Sequence, residues 1–281
     1  MVAEFKVGEP IQVAGARVKV HRLLAPNAGP MTGPGTNTYV IGDKELALVD
    51  PGPLEQSHID NILNAIRNRQ LKWVLVTHTH GDHSPAASPI AEETGAELVG
   101  LPAPEGMHQD RSFSPARIYT HGERLSCSEF SIELIHTPGH VSNHFCYLLV
   151  DEKLLFTGDH ILQGTTSVIL PPDGDMADYM ASLNDLRQRR FDFLAPGHGD
   201  IMTDPGAAID HLIAHRNKRE DKIVAAMASN GLMDLERMTL KVYDDVAPHL
   251  LPWARRTLEA HLIKLKKESR ATETGQGWKL L

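Results

Sequence analysis

The sequence predicts a layered α/β domain over residues 1–204, followed by a smaller helical unit over residues 205–281 that closes in a short β-hairpin. Three observations predict it. Apolar strand-like runs alternate with helical patterns through the first stretch, as in layered α/β proteins. Several of these runs end in Gly followed by His or Asp, which delivers polar groups from the carboxyl ends of strands to one rim, where such folds build their sites. The charge also changes character along the chain: residues 1–204 hold 15 Lys and Arg against 26 Asp and Glu, a net of −11, whereas the remainder holds 13 against 10, a net of +3.

Taken in order, Thr36–Gly42 ("TNTYVIG") and Glu45–Asp50 ("ELALVD") are β-prone runs joined by Asp43-Lys44 as a hairpin. Pro51–Pro53 ends the second run, and Leu54–Arg69 then carries Ile59, Ile62, Leu63 and Ile66 at helical spacing. Lys72–Val76 ("KWVLV") is almost continuously apolar, as expected of a strand buried on both faces. Ala86–Thr94 predicts a helix and Ala96–Gly100 a strand. Phe130–His140, His144–Val150 and Lys153–Asp159 read as three more strands, followed by a helix at Asp178–Arg190 and a strand in Phe191–Asp200 that runs into Pro-Gly-His-Gly. Beyond Asp204, Ala207–Met227 is a long helical pattern and Asn230-Gly231 a turn. Trp253–Lys267 is a second helix, with Leu258, Leu262 and Leu265 on one face and Arg255, Arg256, Lys264, Lys266 and Lys267 elsewhere. A Gly-rich turn between short β-prone pieces ends the chain, which suggests a small winged-helix-like α+β domain.

Composition excludes several classes. With 41% hydrophobic and 23% charged residues the chain is ordinary for a soluble globular protein. No apolar run reaches the roughly 18 residues that a membrane span needs. The start, "MVAEFKVGEP", lacks the basic flank and apolar core of a secretory signal, so the expected location is cytoplasmic. Two cysteines, Cys127 and Cys146, are too few for a disulfide framework and are expected to be buried, reduced thiols. A net charge of −8 argues against a coat of basic charge for nucleic acid.

The densest chemistry lies in "WVLVTHTHGDHSP", Trp73 to Pro85, where His78, His80, Asp82 and His83 follow an apolar strand. Side chains two apart in an extended segment point the same way, so His78 and His80 can reach one metal ion together. The turn at Gly81 redirects Asp82 and His83 towards a second point nearby. Imidazole nitrogens and carboxylates bind Zn²⁺ at about 2.0–2.2 Å. Four residues do not complete two sites, but His140 in "HTPGH", Asp159 in "FTGDH" and His198 in "APGHG" follow at strand ends. His21, His58, His108, His121, His211, His249 and His261 read as surface or core filler, while His136, His144 and His160 flank the motifs and are candidates for outer contacts.

This set resembles the metallo-β-lactamase superfamily, whose motifs comprise H-x-H-x-D-H followed by His, Asp and His. The resemblance implies the metallo-β-lactamase fold, an αβ/βα four-layer sandwich, over about the first 200 residues. It implies that His78, His80 and His140 hold a first divalent metal ion, that Asp82, His83 and His198 hold a second, and that Asp159 bridges them. Asp50 in "LVDPG" matches the family's acidic strand end and would orient the metal loop from outside it. Zn²⁺ suits this all-N/O set, as do Mn²⁺ and Fe. Two ions about 3.5–4 Å apart can share a water and lower its pKa towards about 7, so the implied reaction is hydrolysis by a metal-bound hydroxide. Asp82 is the expected catalytic acid/base group.

Within the superfamily, His80 stands where flavodiiron proteins have Glu, and Asp159 where the commonest zinc β-lactamases have Cys. The text is closer to the beta-lactamase-like protein 2 family, metal-dependent endoribonucleases on single-stranded RNA. The resemblance runs through "GPGTNTYVIG", "GDHILQGTT", "DYMASLNDL", "PGHG", "HRNKRE" and "HLIKLKKE". Fungal polyketide thioesterases resemble the same branch, so RNA cleavage stands beside hydrolysis of small-molecule thioesters, lactones or β-lactams. A third reading is a nucleic-acid-binding regulator that keeps its metal for stability. The C-terminal domain is read either as a phosphate-attracting winged helix or as a packing and homodimerisation element.

Overall fold

The computed structural model describes residues 5–106 and 108–281. They form two compact units, one comprising residues 5–106, 108–137, 143–167 and 189–205, the other residues 138–142, 168–188 and 206–281.

The first unit contains two sheets. In the first sheet β1 (Ile11–Ala14), β2 (Val20–Leu24), β3 (Asn37–Ile41), β4 (Glu45–Val49), β5 (Gln70–Leu75) and β6 (Glu97–Val99) lie side by side in sequence order. Pairing is antiparallel from β1 to β4 and parallel from β4 to β6. The parallel steps need crossovers, supplied by α1 (Gln56–Ile66) and α2 (Ala87–Thr94). The second sheet has the order β11 (Phe193–Pro196), β10 (Leu154–Gly158), β9 (Phe145–Leu149), β8 (Ser131–His136), β7 (Arg124–Ser126), antiparallel except for the parallel pair of β10 and β11.

Side chains alternate between the two faces of each strand. Tyr39, Ile41, Ala47, Val49, Trp73 and Leu75 therefore face one way and join Ile132, Leu134, Phe145, Tyr147, Leu154 and Phe156 of the second sheet in one core. Val40, Leu46, Leu48 and Val74 face the other way and pack with Ile59, Ile62 and Ile66 of α1 and Ala87 and Ile90 of α2. Full burial of each large aliphatic or aromatic side chain contributes about 1.5–3 kcal/mol. The same cores hold β4 and β5 rigid up to the ends where the polar residues begin.

The strand read at Phe130–His140 is shorter than expected, because β8 stops at His136. Pro138 has no N–H to continue the ladder, and Gly139 takes φ 140. The sequence pattern does not announce β1, β2, β7 or the helix at residues 235–242. β1 is a short edge strand with a shift of register between Gln12 and Ala14, and β7 has only three residues.

In the second unit, α3 (Met176–Arg187) is capped by Asp175, whose side chain accepts from the N–H groups of Ala177 and Asp178. α4 (Pro205–Asn230), α5 (Leu235–Val242) and α6 (Leu251–Lys267) follow, then the antiparallel hairpin β12 (Ala271–Thr274) and β13 (Gly277–Leu280). Ile223, Met227, Met238, Val242, Leu258, Leu262 and Trp278 pack together as its core. Among the described residues no helix is long and apolar enough to cross a membrane.

Candidate metal centre

Five chain segments end β-strands with polar residues: β4 with Asp50, β5 with the His78–His83 loop, β8 with the Thr137–His140 turn, β10 with Asp159 and β11 with His198. Asp50 organises the loop after β5. Its carboxylate accepts from Thr77 N at 2.7 Å and from Thr77 Oγ1 at 2.8 Å, and lies 2.9 Å from His83 Nδ1. A carboxylate only accepts when ionised, so His83 carries a proton on Nδ1, and Nε2 is the nitrogen turned towards the centre.

The same reasoning fixes three more rings. Thr77 Oγ1 gives its only proton to Asp50, so the 3.0 Å contact with His78 Nδ1 has His78 as the donor. His198 Nδ1 donates to the carbonyl of Gly35 at 3.2 Å, and His140 Nδ1 to the carbonyl of Val168 at 2.6 Å. All four histidines are thus held through Nδ1. Metal-binding imidazoles are commonly fixed in this way. His78 Nε2 lies 2.9 Å from His80 Nδ1.

His83 Nε2 and His198 Nε2 are buried and have no hydrogen-bond partner. Each faces carboxylate oxygens: His83 lies 3.4 Å from Asp82 Oδ2 and 3.4 Å from Asp159 Oδ1, and His198 lies 3.2 Å and 3.4 Å from the same atoms. Ligand atoms of Asp82, His83 and His198 lie within 4.8 Å of one another, as do those of His78, His83 and Asp159. Buried carboxylates and ring nitrogens set against one another need positive charge between them, as protons on the rings or as a cation in their place, so the donor set fits a divalent metal. Gly197 is part of this fit, since a Cβ there would sit 2.7 Å from His83 Cε1 and 2.8 Å from Asp159 Oδ1.

The electrostatics point the same way. Burial lowers the pKa of His83, but Asp82, Asp159 and Asp50 outweigh it and raise it well above 6.5. His198 is likewise lowered by burial and raised on balance by Asp159 and Asp82. Burial disfavours ionised Asp82, yet His83 and His198 hold its pKa far below the usual carboxylate range. The centre attracts positive charge.

His144 stacks on His78, with ring centroids 5.3 Å apart, and its Nδ1 lies 2.9 Å from Thr137 Oγ1. His160 is 5.7 Å from His144, and His136 packs edge-on against Phe145 at 5.5 Å. Residues that sequence reasoning missed are Thr77 and the stretch Gly35–Asn37. Asn37 donates to the carbonyls of Pro196 and Gly199 at 3.0 and 2.8 Å, and Thr36 Oγ1 lies 3.5 Å from Asp82 Oδ2. The only signal for them was Thr in "VTH" and "GTNTY", too common a residue to single out.

The sequence matches the metallo-beta-lactamase superfamily over residues 31–198. The chain belongs to that superfamily. It is therefore a metal-dependent hydrolase by class, with the superfamily's αβ/βα fold. Residues 235–278 match the beta-lactamase associated winged helix domain. The chain is 31% identical over 263 residues to the beta-lactamase-like protein 2 homolog of Caenorhabditis elegans, covering 92% of this chain and 85% of that one. It is 28% identical over 232 residues to an atrochrysone carboxyl ACP thioesterase of Aspergillus chevalieri, covering 81% and 72%. A beta-lactamase domain protein from Burkholderia ambifaria shares the fold with a TM-score of 0.80 at 17% identity, over 99% of this chain and 95% of the other.

Proposed function

We propose that residues 1–204 form a dinuclear metal hydrolase for small acyl substrates, thioesters first, with residues 205–281 as the attached winged-helix-like domain. The observation that carries this reading is the common fixing of His78, His83, His140 and His198 through Nδ1, with two buried Nε2 atoms set against Asp82 and Asp159. In this reading His78, His80 and His140 would hold one ion, Asp82, His83 and His198 would hold the other, and Asp159 would be available to both. Zn²⁺ is the first choice for the all-N/O set. Such ions, when bound, supply Lewis acidity towards a substrate carbonyl and towards water.

The chain's own residues do the rest. Asp50 fixes two rings, one directly and one through Thr77, and so sets the direction of their lone pairs. Contacts of Asp82 with His83, His198 and Thr36 run through Oδ2, and its side chain is 29% exposed. Oδ1 is the group placed to take a proton from the attacking water and pass one to the leaving group.

Two observations favour a small acyl substrate. The relative from Aspergillus chevalieri is named a thioesterase. Four of the five basic side chains of α6, expected to attract phosphates, are engaged internally: Lys264 with Glu220 and Glu268, Lys266 with Glu273, Lys267 with Asp175, and Arg256 with Glu259 and the Pro171 carbonyl. Single-stranded RNA is the second reading, favoured by the winged-helix match. Leu240, Leu250 and Trp253 stand exposed in the second unit, which is the surface a homodimer would cover. Sedimentation equilibrium tests that assembly.

Metal-analysed protein assayed on acyl thioesters, lactones, a β-lactam and single-stranded RNA tests the function, with Asp82→Asn as control. The expected result is two divalent ions per chain and thioester hydrolysis that falls about 100-fold or more in Asp82→Asn. Cleavage of RNA alone would replace the acyl reading, and equal activity of the variant would remove Asp82 from the chemistry.

A further inference from the structure

We infer that His58 is a positioning residue for the metal centre, donating from Nε2 to Thr38 Oγ1, which in turn holds the Asp50 carbonyl and locks the turn that orients His83 and His78. The inference rests on the proposed metal centre and adds a residue that sequence reasoning treats as filler.

The starting point is the backbone of Asp50, which takes φ 46 in the left-handed region. For a residue with a Cβ such a conformation is disfavoured and persists where the surroundings impose it. Asp50 N donates to Leu75 O at 2.9 Å, and its carbonyl accepts from Thr38 Oγ1 at 2.7 Å. A threonine hydroxyl has one proton to give. Since Thr38 gives it to Asp50, the 2.8 Å contact between Thr38 Oγ1 and His58 Nε2 must have His58 as the donor.

The surroundings of His58 agree with that direction. The ring is fully buried in the first turn of α1, and burial pushes its pKa down to about 4, so it is neutral and carries one proton. Its Nδ1 is buried with no hydrogen-bond partner, as it must be if the proton is on Nε2. The ring also packs on Gly52, which takes φ 87 and where a Cβ would lie 3.1 Å from His58 Cδ2. Gly52 N donates to the carbonyl of His83 at 3.0 Å. His58 therefore bears on both ends of the Asp50–Gly52 turn. One end holds the His83 ring through the Asp50 carboxylate, and the other holds the His83 backbone.

Core filling alone would be served as well by a phenylalanine, so the test separates the two roles. Imidazole ¹H–¹⁵N correlation spectra of the metal-free protein near neutral pH should show His58 as the Nε2–H tautomer and a hydrogen-bonded His83 Nδ1 proton far downfield. An Nδ1–H tautomer for His58 would overturn the inference. Zn²⁺ affinity by chelator competition should fall about 10–100-fold in His58→Phe and in Thr38→Val, with loss of the downfield His83 signal, while Thr38→Ser stays near wild type. Folded variants that bind Zn²⁺ as tightly as wild type and keep that signal would also overturn it. If His58→Phe does not fold, the Thr38→Val and Thr38→Ser pair decides. Wild-type protein with no tight Zn²⁺ binding would defeat the proposed metal centre, and the tautomer with the His83 signal in the Thr38 variants would then decide the relay by itself.

Discussion

Two carboxylate clusters show opposite designs. In the second unit Glu220 is buried and supplied with donors, Lys264 at 2.8 Å and Arg270 at 2.6 Å, with the His261 ring beside it at 3.7 Å. Burial opposes its ionised form, but these partners hold its pKa down at about 2. In the first unit Asp82 and Asp159 face imidazole nitrogens that have no hydrogen-bond partner. Glu220 closes its own charge balance with side chains of its unit. The Asp82 and Asp159 cluster is set against imidazoles that balance it as protonated rings or hand it over to a cation. A self-neutralised cluster builds structure, and an open one of this kind builds a binding site.

Removing a ring from the open cluster should have the largest effect on the centre. His83→Ala deletes a donor that touches Asp82, Asp159 and Asp50, and should weaken metal binding and lower kcat by at least about 100-fold, beyond what loss of an outer contact does. Equilibrium dialysis with metal analysis checks it, and unchanged metal content would mean that His83 is not a ligand.

Acidity should act on the same cluster by smaller steps. Ligand protons must leave before a metal binds, so Zn²⁺ affinity should rise with pH by about tenfold per unit for each proton released, through the raised pKa values of His83 and His198. The metal-free fold should respond in the opposite sense. Stability contributed by these raised histidines is full below their unfolded value of 6.5 and is lost as pH rises through the folded values. Stability contributed by Asp82, whose pKa is depressed, is present above its unfolded value of 3.8 and is lost only as pH falls well below it. Thermal unfolding of metal-free and Zn²⁺-loaded protein from about pH 6 upward checks the signs. Parallel curves would break the comparison.

Glu220→Gln should have the smallest effect on the centre and a clear one on its own unit. It leaves Lys264 and Arg270 without their buried partner and should cost about 1–3 kcal/mol in denaturant unfolding. Zn²⁺ affinity should not change. A loss of metal would show that the closed cluster serves the open one.

Much of the centre was legible in the text. His and Asp at strand ends are detectable because strand, Gly and polar residue recur at β5, β10 and β11, and His78, His80, Asp82 and His83 sit within six positions. The lone histidines were not legible. His58 and His261 look alike in sequence and both are buried, yet one hydrogen-bonds Thr38 and the other lies beside Glu220. Periodicity located β3, β4, β5 and the long helices because each buries a patterned face, while β1 and β7 are too short to show a period.

The sequence by itself determined the supply of donor groups, their order along the chain and the alternation that buries β4 and β5 on both faces. These are local properties, set by residue type and by the two-residue period of a strand. Only the tertiary structure decided which nitrogen each ring presents. That choice depends on an acceptor from a distant segment: Asp50 for His83, Gly35 for His198, Val168 for His140. A tautomer is set by what meets the ring after folding, and no local pattern records it.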